Sequence, residues 1–309
     1  MDNMIERKND ISLEGKMNDW GPYGNHEGAW LIFSIGNPEE GHGYALPRNI
    51  DDLQAQRIAH LISCKTGARY VAHIPWSTDN VGPIAKDWSP KTIPVEEIVI
   101  RIKDFLNYHI NLYKEMGLPA SKIFIYSGHG GNNPIADYTE EIQSKLNLEK
   151  LIISTTEGFA DQIADKALRE IEKLSLELAS KGENPKKIRR TLIKIVTSID
   201  HAGHFEHSLG AALGVLDEEK LEIMNKELEK DFYAAIKKWP PLGGLGGFLI
   251  HAGKYEKLLG TKDNDIGGHW KCFNTLRRLN GGKVLVIKEL GELIVNLIVE
   301  FYSQILRDT

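Results

Sequence analysis

Cysteine is almost absent from this chain: Cys64 and Cys272 stand far apart among 309 residues. Two isolated thiols make no disulfide framework, which points to a reducing, cytoplasmic setting. Long apolar runs are missing as well. No stretch approaches the roughly 18 to 20 apolar residues of a membrane helix. The opening residues, MDNMIERKNDISLEGK, carry charge where a secretory signal would have its apolar centre. Positive charge is not in excess either. With 38 basic and 43 acidic side chains the formal charge is −5, so there is no overall attraction to phosphate backbones, and nucleic acid is not an expected partner. One basic run, Lys186-Lys187-Ile188-Arg189-Arg190, reads as a solvated helix face. Repeats and low-complexity tracts are also lacking. The apolar fraction of 41% is ordinary, and a chain of this length can bury a full core without staples.

What the chain does have is alternation. Ala29 to Ile35 is a short apolar run of the kind a buried parallel strand shows. Apolar residues then recur at helical spacing between Asp51 and Lys65 (Leu53, Ile58, Leu61, Ile62), followed by Gly67 and a second strand, Arg69 to Ile74. The pattern continues with a helix from Val95 to Met116, a strand from Lys122 to Tyr126, a helix to about Leu146 and a strand from Lys150 to Ser154. This predicts a mainly parallel sheet covered on both faces, in a single α/β domain spanning residues 1–309. From Glu157 to Ser198 the rhythm breaks into two helices separated by Gly182-Glu183-Asn184-Pro185. This helical insertion reads as a lid, an oligomer contact or a plain surface excursion. The segment PPLGGLGG (240–247) lacks the Lys-Ser/Thr end of a phosphate loop and reads as a flexible loop. An amphipathic helix from about Lys283 to Leu306 closes the chain.

In sheets of this type ligands bind beyond the carboxyl ends of the strands, and polar clusters gather there. After Ile35 come Glu40 and His42, two residues apart and so able to point the same way in an extended segment, then Asp51 nine residues further on. An Asp at a helix start is ordinarily an N-cap, a task that Asp52 could take while Asp51 faces the site. After Tyr126, His129 stands among Gly128, Gly130 and Gly131, whose bare backbone lets a ligand come close. A third cluster, Asp200 to Ser208, also reads as a strand end and contains His201, His204, His207 and Glu206. Mixed carboxylate and imidazole donors suit a borderline divalent ion such as zinc or manganese. Two ions sharing a carboxylate would generate a hydroxide near neutral pH and polarise a carbonyl oxygen.

These clusters, in this order, resemble the creatininase (creatinine amidohydrolase or formamide hydrolase) family. Its first motif is met by Glu40, His42, Gly43, Leu46, Pro47 and Asp51, its second by Gly128 to Asn132, and its third by His201, Ala202, Gly203, Glu206 and Ser208. Ser89 to Ile93 is similar to a further element of the family. The resemblance implies a three-layer α/β/α sandwich, a homohexamer, and two divalent metal ions per subunit, zinc or else manganese or iron. It makes Glu40, His42, Asp51, His129 and Glu206 the metal ligands, with Asp51 as the bridge, and His201 the proton donor. Ala45 and Ile50 depart from the family by removing a polar group each, and the loop IPWSTDNVGPIAKDW differs from the common pattern.

The implied reaction is hydrolysis of a non-peptide C–N bond in a small cyclic amide or formamide by hydroxide attack. Three alternatives accompany it: ring-opening C–C hydrolysis of a cyclic diketone, deformylation of a formylaminopyrimidine, and a catalytically silent metal-binding homologue. Trp76 and Trp88 could pack on a flat substrate, although ordinary burial is the simpler reading for both.

Overall fold

The computed structural model describes residues 30–79, 86, 88–179, 184–198, 201–239, 241–243 and 274–309. Cys272 and most of the glycine-rich segment 240–247 lie outside these residues. The first strand, β1 (Trp30–Ile35), is buried at all six positions, as a strand must be when both faces of its sheet are covered. Side chains alternate across it with a period of two. Leu31, Phe33 and Ile35 enter one apolar cluster, and Trp30 and Ile32 enter the other. β1 pairs in parallel with β2 (Arg69–Ile74) and β3 (Lys122–Ser127), and β3 pairs in parallel with β4 (Lys150–Ile153). The strand order is therefore β2-β1-β3-β4.

Helices cover both faces. On one side α2 (Val95–Glu115) and α3 (Thr139–Lys145) bury Ile98, Ile102, Leu106 and Ile142 against Phe33 and Ile125. On the other, α1 (Ile50–Thr66), α4 (Thr156–Ala179), α5 (Pro185–Ser198) and a long carboxyl-terminal helix pack around Trp30, Phe124 and Tyr126. This is the expected three-layer α/β/α arrangement. The helix boundaries have local causes. α1 stops at Gly67, which takes φ +75° and returns its N–H to Ser63, a geometry that costs glycine little. α5 starts at Pro185 behind Asn184, whose side-chain oxygen accepts the Lys186 N–H at 3.0 Å.

Three expectations are corrected. The helical insertion is no surface excursion: Ile171, Leu174, Leu192 and Ile195 belong to the main apolar cluster, and Arg189 of the basic run pairs with Glu172 of α4. The third polar cluster follows helix α5, which ends at Ser198, and opens α6 (His204–Ala212); no described strand precedes it. After β3 the chain runs first through a 3-10 stretch, Gly130–Tyr138, containing Pro134, since proline lacks the donor a regular helix needs there.

Beyond α6 lie α7 (Glu218–Lys230), α8 (Phe232–Lys238) and the closing helix α9 (Lys288–Asp308). α9 begins later than its periodicity predicts because side chains hold the backbone before it. The N–H groups of Val284, Leu285 and Ile287 donate to Asn225 Oδ1, His204 Nδ1 and Ser208 Oγ at 2.8, 2.9 and 3.0 Å. α9 then crosses α6 so closely that a side chain at Gly291 would collide with the carbonyl oxygen of Ser208. Helix propensity alone favours Ala over Gly by about 1 kcal/mol, whereas overpacking costs about 1–3 kcal/mol. Gly291→Ala is therefore expected to lower stability in denaturant unfolding, and a stabilised variant would show that α6 and α9 do not meet this tightly.

Candidate metal centre

Asp51 sits in the first turn of α1, and bare backbone brings that turn between two strand ends. A Cβ at Gly36 would lie 2.5 Å from the Asp51 carbonyl carbon, and one at Gly128 would lie 2.5 Å from the Asp51 oxygen. Asn132 fastens the same region from a third direction. Its Nδ2 donates to Gly36 O at 2.9 Å, and its Oδ1 accepts the Thr78 N–H at 3.0 Å. The ends of β1 and β3 and the loop after β2 are thereby joined through one amide.

The clasp brings together all six residues expected at the site. Asp51 Oδ1 is 3.5 Å from His42 Nε2, and its Oδ2 is 3.0 Å from His129 Nδ1. His129 Nδ1 is also 3.0 Å from Glu40 Oε2, and His42 Nε2 is 3.6 Å from Glu206 Oε2. Glu206 is anchored by the Ala202 N–H at 2.6 Å. His201 Nε2 lies 2.9 Å from the Gly41 carbonyl. A carbonyl only accepts, so that nitrogen carries the proton, and Nδ1 is left facing Glu206 Oε1 at 3.7 Å. Glu40, His42, Asp51 and His129 are buried, while Glu206 and His201 are partly open. Among the described residues, the ion-pair partners of Glu40, Asp51 and Glu206 are all histidines.

This donor set fits divalent cations. Ligand atoms fall into three overlapping groups, each within 4.8 Å: Glu40, His42 and Asp51; His42, His201 and Glu206; and Glu40, Asp79 and His129. His42 Nε2 and Asp51 Oδ2 are buried without a hydrogen-bond partner, a costly state for polar atoms unless something else coordinates them. Charge tells the same story. Burial works against a charged His42, yet the Asp51 and Glu206 carboxylates outweigh it and hold its pKa up at about 10. For His129 burial is likewise overcome, by Glu40 and Asp51, and its pKa stands well above the ordinary value. Burial raises Asp51, but the charge on His42 and its contacts with His129 reverse this and hold it well below the carboxylate range.

The other two histidines of the third cluster are structural. Burial pulls His204 down to about 4 and His207 to about 3. His204 Nδ1 accepts the Leu285 N–H, and His207 Nδ1 donates to Gly203 O at 2.8 Å. Asp52 does not cap α1. It turns to His73, with Oδ1 2.9 Å from Nε2, and His73 Nδ1 is 2.9 Å from Ser34 Oγ. A Ser-His-Asp chain results, but Ser34 is 0% exposed; it braces β1, β2 and α1 and cannot reach a substrate. Trp76 packs edge-on against Phe105, which is ordinary burial. Ala45 and Ile50 are both buried, giving the site an apolar margin.

Two residues were not anticipated. Asn37 donates to Glu40 Oε2 at 3.1 Å and to Ser89 Oγ at 2.6 Å. Asp79 faces His129 Nε2 at 3.8 Å. Asp79 lies five residues beyond the carboxyl end of β2, so reading that strand end as closely as its neighbours would have exposed it.

No protein-family model matches the chain. Two curated relatives are both named 2-amino-5-formylamino-6-ribosylaminopyrimidin-4(3H)-one 5'-monophosphate deformylase. The one from Methanosphaera stadtmanae is 27% identical over 118 residues, 38% of this chain and 47% of its own length. The one from Methanococcus maripaludis is 26% identical over 200 residues, 65% of this chain and 66% of its own. The match thus spans from about half to just under two thirds of these relatives. Among solved structures, two creatininases carrying tryptophan substitutions superpose with TM-score 0.50 at 15% and 16% identity, each covering 91% of this chain and 90% of its own. The chain has the creatininase fold.

The charge balance sets a pH dependence. His42, raised from 6.5 to about 10, stabilises the metal-free chain fully below pH 6.5 and loses that contribution as pH climbs through about 10. Asp51, held low, contributes above its ordinary 3.8 and loses it as pH falls. A cation competes with the imidazole protons, so its binding strengthens as pH rises. The Tm of metal-free protein is expected to fall between pH 6.5 and 9 while the increment added by zinc grows. A zinc increment that shrinks with pH would contradict this arrangement of charges.

Proposed function

We propose that this chain is a metal-dependent hydrolase of a non-peptide C–N bond, acting on a small formamide or cyclic amide. One observation carries the reading: the two oxygens of Asp51 face different imidazoles, His42 and His129, with Glu206 and Glu40 completing the two sides. That is the layout of two cation subsites sharing a carboxylate. When bound there, divalent cations supply Lewis acidity toward a carbonyl oxygen and lower the pKa of water. The mixed imidazole and carboxylate donors suit zinc, manganese or iron and single out none of them, and zinc stands first by the family resemblance.

The chain's own groups supply the rest. Gly41 O fixes the His201 ring through Nε2, so Nδ1 is the nitrogen free to carry a proton toward the departing amine. Its partial exposure beside buried Glu40 and His42 supports that role for a side chain that must meet substrate. Gly41 is in turn tied to the loop after β2, its N–H donating to Trp88 O at 2.9 Å.

The deformylase names of the curated relatives favour a formamide over a lactam. A homohexamer is supported by the family resemblance and by exposed apolar residues on and just after α2, namely Ile100, Tyr108 and Met116. A cytoplasmic location is supported by the scarcity of cysteine and the exposed thiol of Cys64. No described helix is long and apolar enough to cross a membrane.

The test is purified protein stripped with a chelator, reloaded with zinc or manganese, and assayed on formylaminopyrimidines, simple formamides, lactams and cyclic diketones. Asp51→Ala is expected to lose bound metal and turnover together. Full turnover by a metal-free Asp51→Ala protein would sink the proposal, and turnover confined to diketones would replace it with C–C hydrolysis.

A further inference from the structure

The two edges of His129 meet different surroundings. Nδ1 faces Glu40 Oε2 and Asp51 Oδ2, both at 3.0 Å. Nε2, on the opposite edge, faces Asp79 Oδ2 at 3.8 Å and Asn37 Nδ2 at 3.5 Å. The Asn37 amide cannot be turned around, because its Oδ1 already accepts the Glu39 N–H at 3.2 Å. Its nitrogen is therefore the atom presented to His129, and an amide nitrogen accepts no hydrogen bond. An imidazole that gives Nδ1 to a cation is neutral and keeps its proton on Nε2, where it needs an acceptor.

Asp79 is the acceptor this chain provides. Its side chain is 6% exposed, so water competes little for the carboxylate. Gly131 makes the approach possible: a Cβ there would collide with His129 Nε2 and lie 3.0 Å from the Asp79 Cα. Asn132 holds the Asp79 loop at this distance through the Thr78 N–H.

We propose that Asp79 is a positioning residue that accepts a hydrogen bond from the Nε2–H of His129 and so fixes the tautomer and ring angle with which Nδ1 meets a divalent cation. The inference rests on the two-cation reading above. The separation of 3.8 Å exceeds the roughly 3.2 Å limit of an N–H···O bond, and a small rotation of the side chain or one bridging water closes it. The same carboxylate stands near enough to Glu40 and His129 to serve as a ligand itself, so the experiment must separate the two roles.

Zinc stoichiometry and affinity are measured on the full chain by competition with a chromophoric chelator, for wild type, Asp79→Asn and Asp79→Glu. The imidazole N–H protons of the zinc-loaded proteins are followed by NMR. Wild type is expected to bind two ions and to show a downfield Nε2 proton on His129. Asp79→Asn should retain two ions with affinity about 10- to 100-fold weaker and lose the downfield signal, and Asp79→Glu should restore part of both. If Asp79→Asn binds one ion fewer, Asp79 is a ligand and the positioning role is overturned. Unchanged affinity and an unchanged N–H resonance overturn it equally. Wild-type protein that binds no zinc refutes the two-cation reading itself, an outcome distinct from both.

Discussion

Everything at the site depends on how closely the first turn of α1 approaches the ends of β1 and β3. Asp51 can address His42 and His129 at once only because Gly36 and Gly128 present no side chains where the turn passes. A larger residue at either position would move the carboxylate outward and leave two imidazoles and two glutamates without a shared partner. The sheet makes the approach rigid. β1 is buried on both faces and β3 nearly so, so the strand ends are fixed by apolar packing well away from the polar cluster they carry.

The cluster sets opposite charges close together in a buried space. Burial disfavours the charges on His42, His129 and Asp51, and the neighbouring carboxylates overcome that penalty at the two imidazoles by holding protons on them. Those protons stand where a divalent ion would bind, and each brings one positive charge in place of two. Two buried atoms, His42 Nε2 and Asp51 Oδ2, remain without hydrogen bonds even so.

Much of this was legible in the residues. Period-two and period-3.6 patterns give the four strands and most helices within a few residues, because burial on one face or two leaves a plain trace. The five residues expected as ligands and His201 lie together in one cluster. What the pattern could not supply were tertiary substitutions for local rules. Asp52 looks like a cap and instead reaches across to His73. The segment before α9 has helical composition but spends its N–H groups on Asn225, His204 and Ser208. Asp79 sits in a loop with no periodicity, and its proximity to His129, 50 residues later in the chain, arises because β2 and β3 flank β1 and Asn132 ties the loop after β2 to their ends. Cysteine, charge and hydropathy said nothing about which carboxylates converge.

Asn132 has one further consequence. Its amide is used at both ends, donating to the end of β1 and accepting from the loop after β2. Aspartate at this position would lack the donor and leucine both functions, so the junction admits little variation. The loop it holds is fastened by a backbone N–H, which every residue except proline possesses. Side chains along that loop can therefore be exchanged while its attachment persists. A scaffold built this way can vary the other side chains of that loop, with Asp79 kept beside His129, and leave the polar cluster it borders in place.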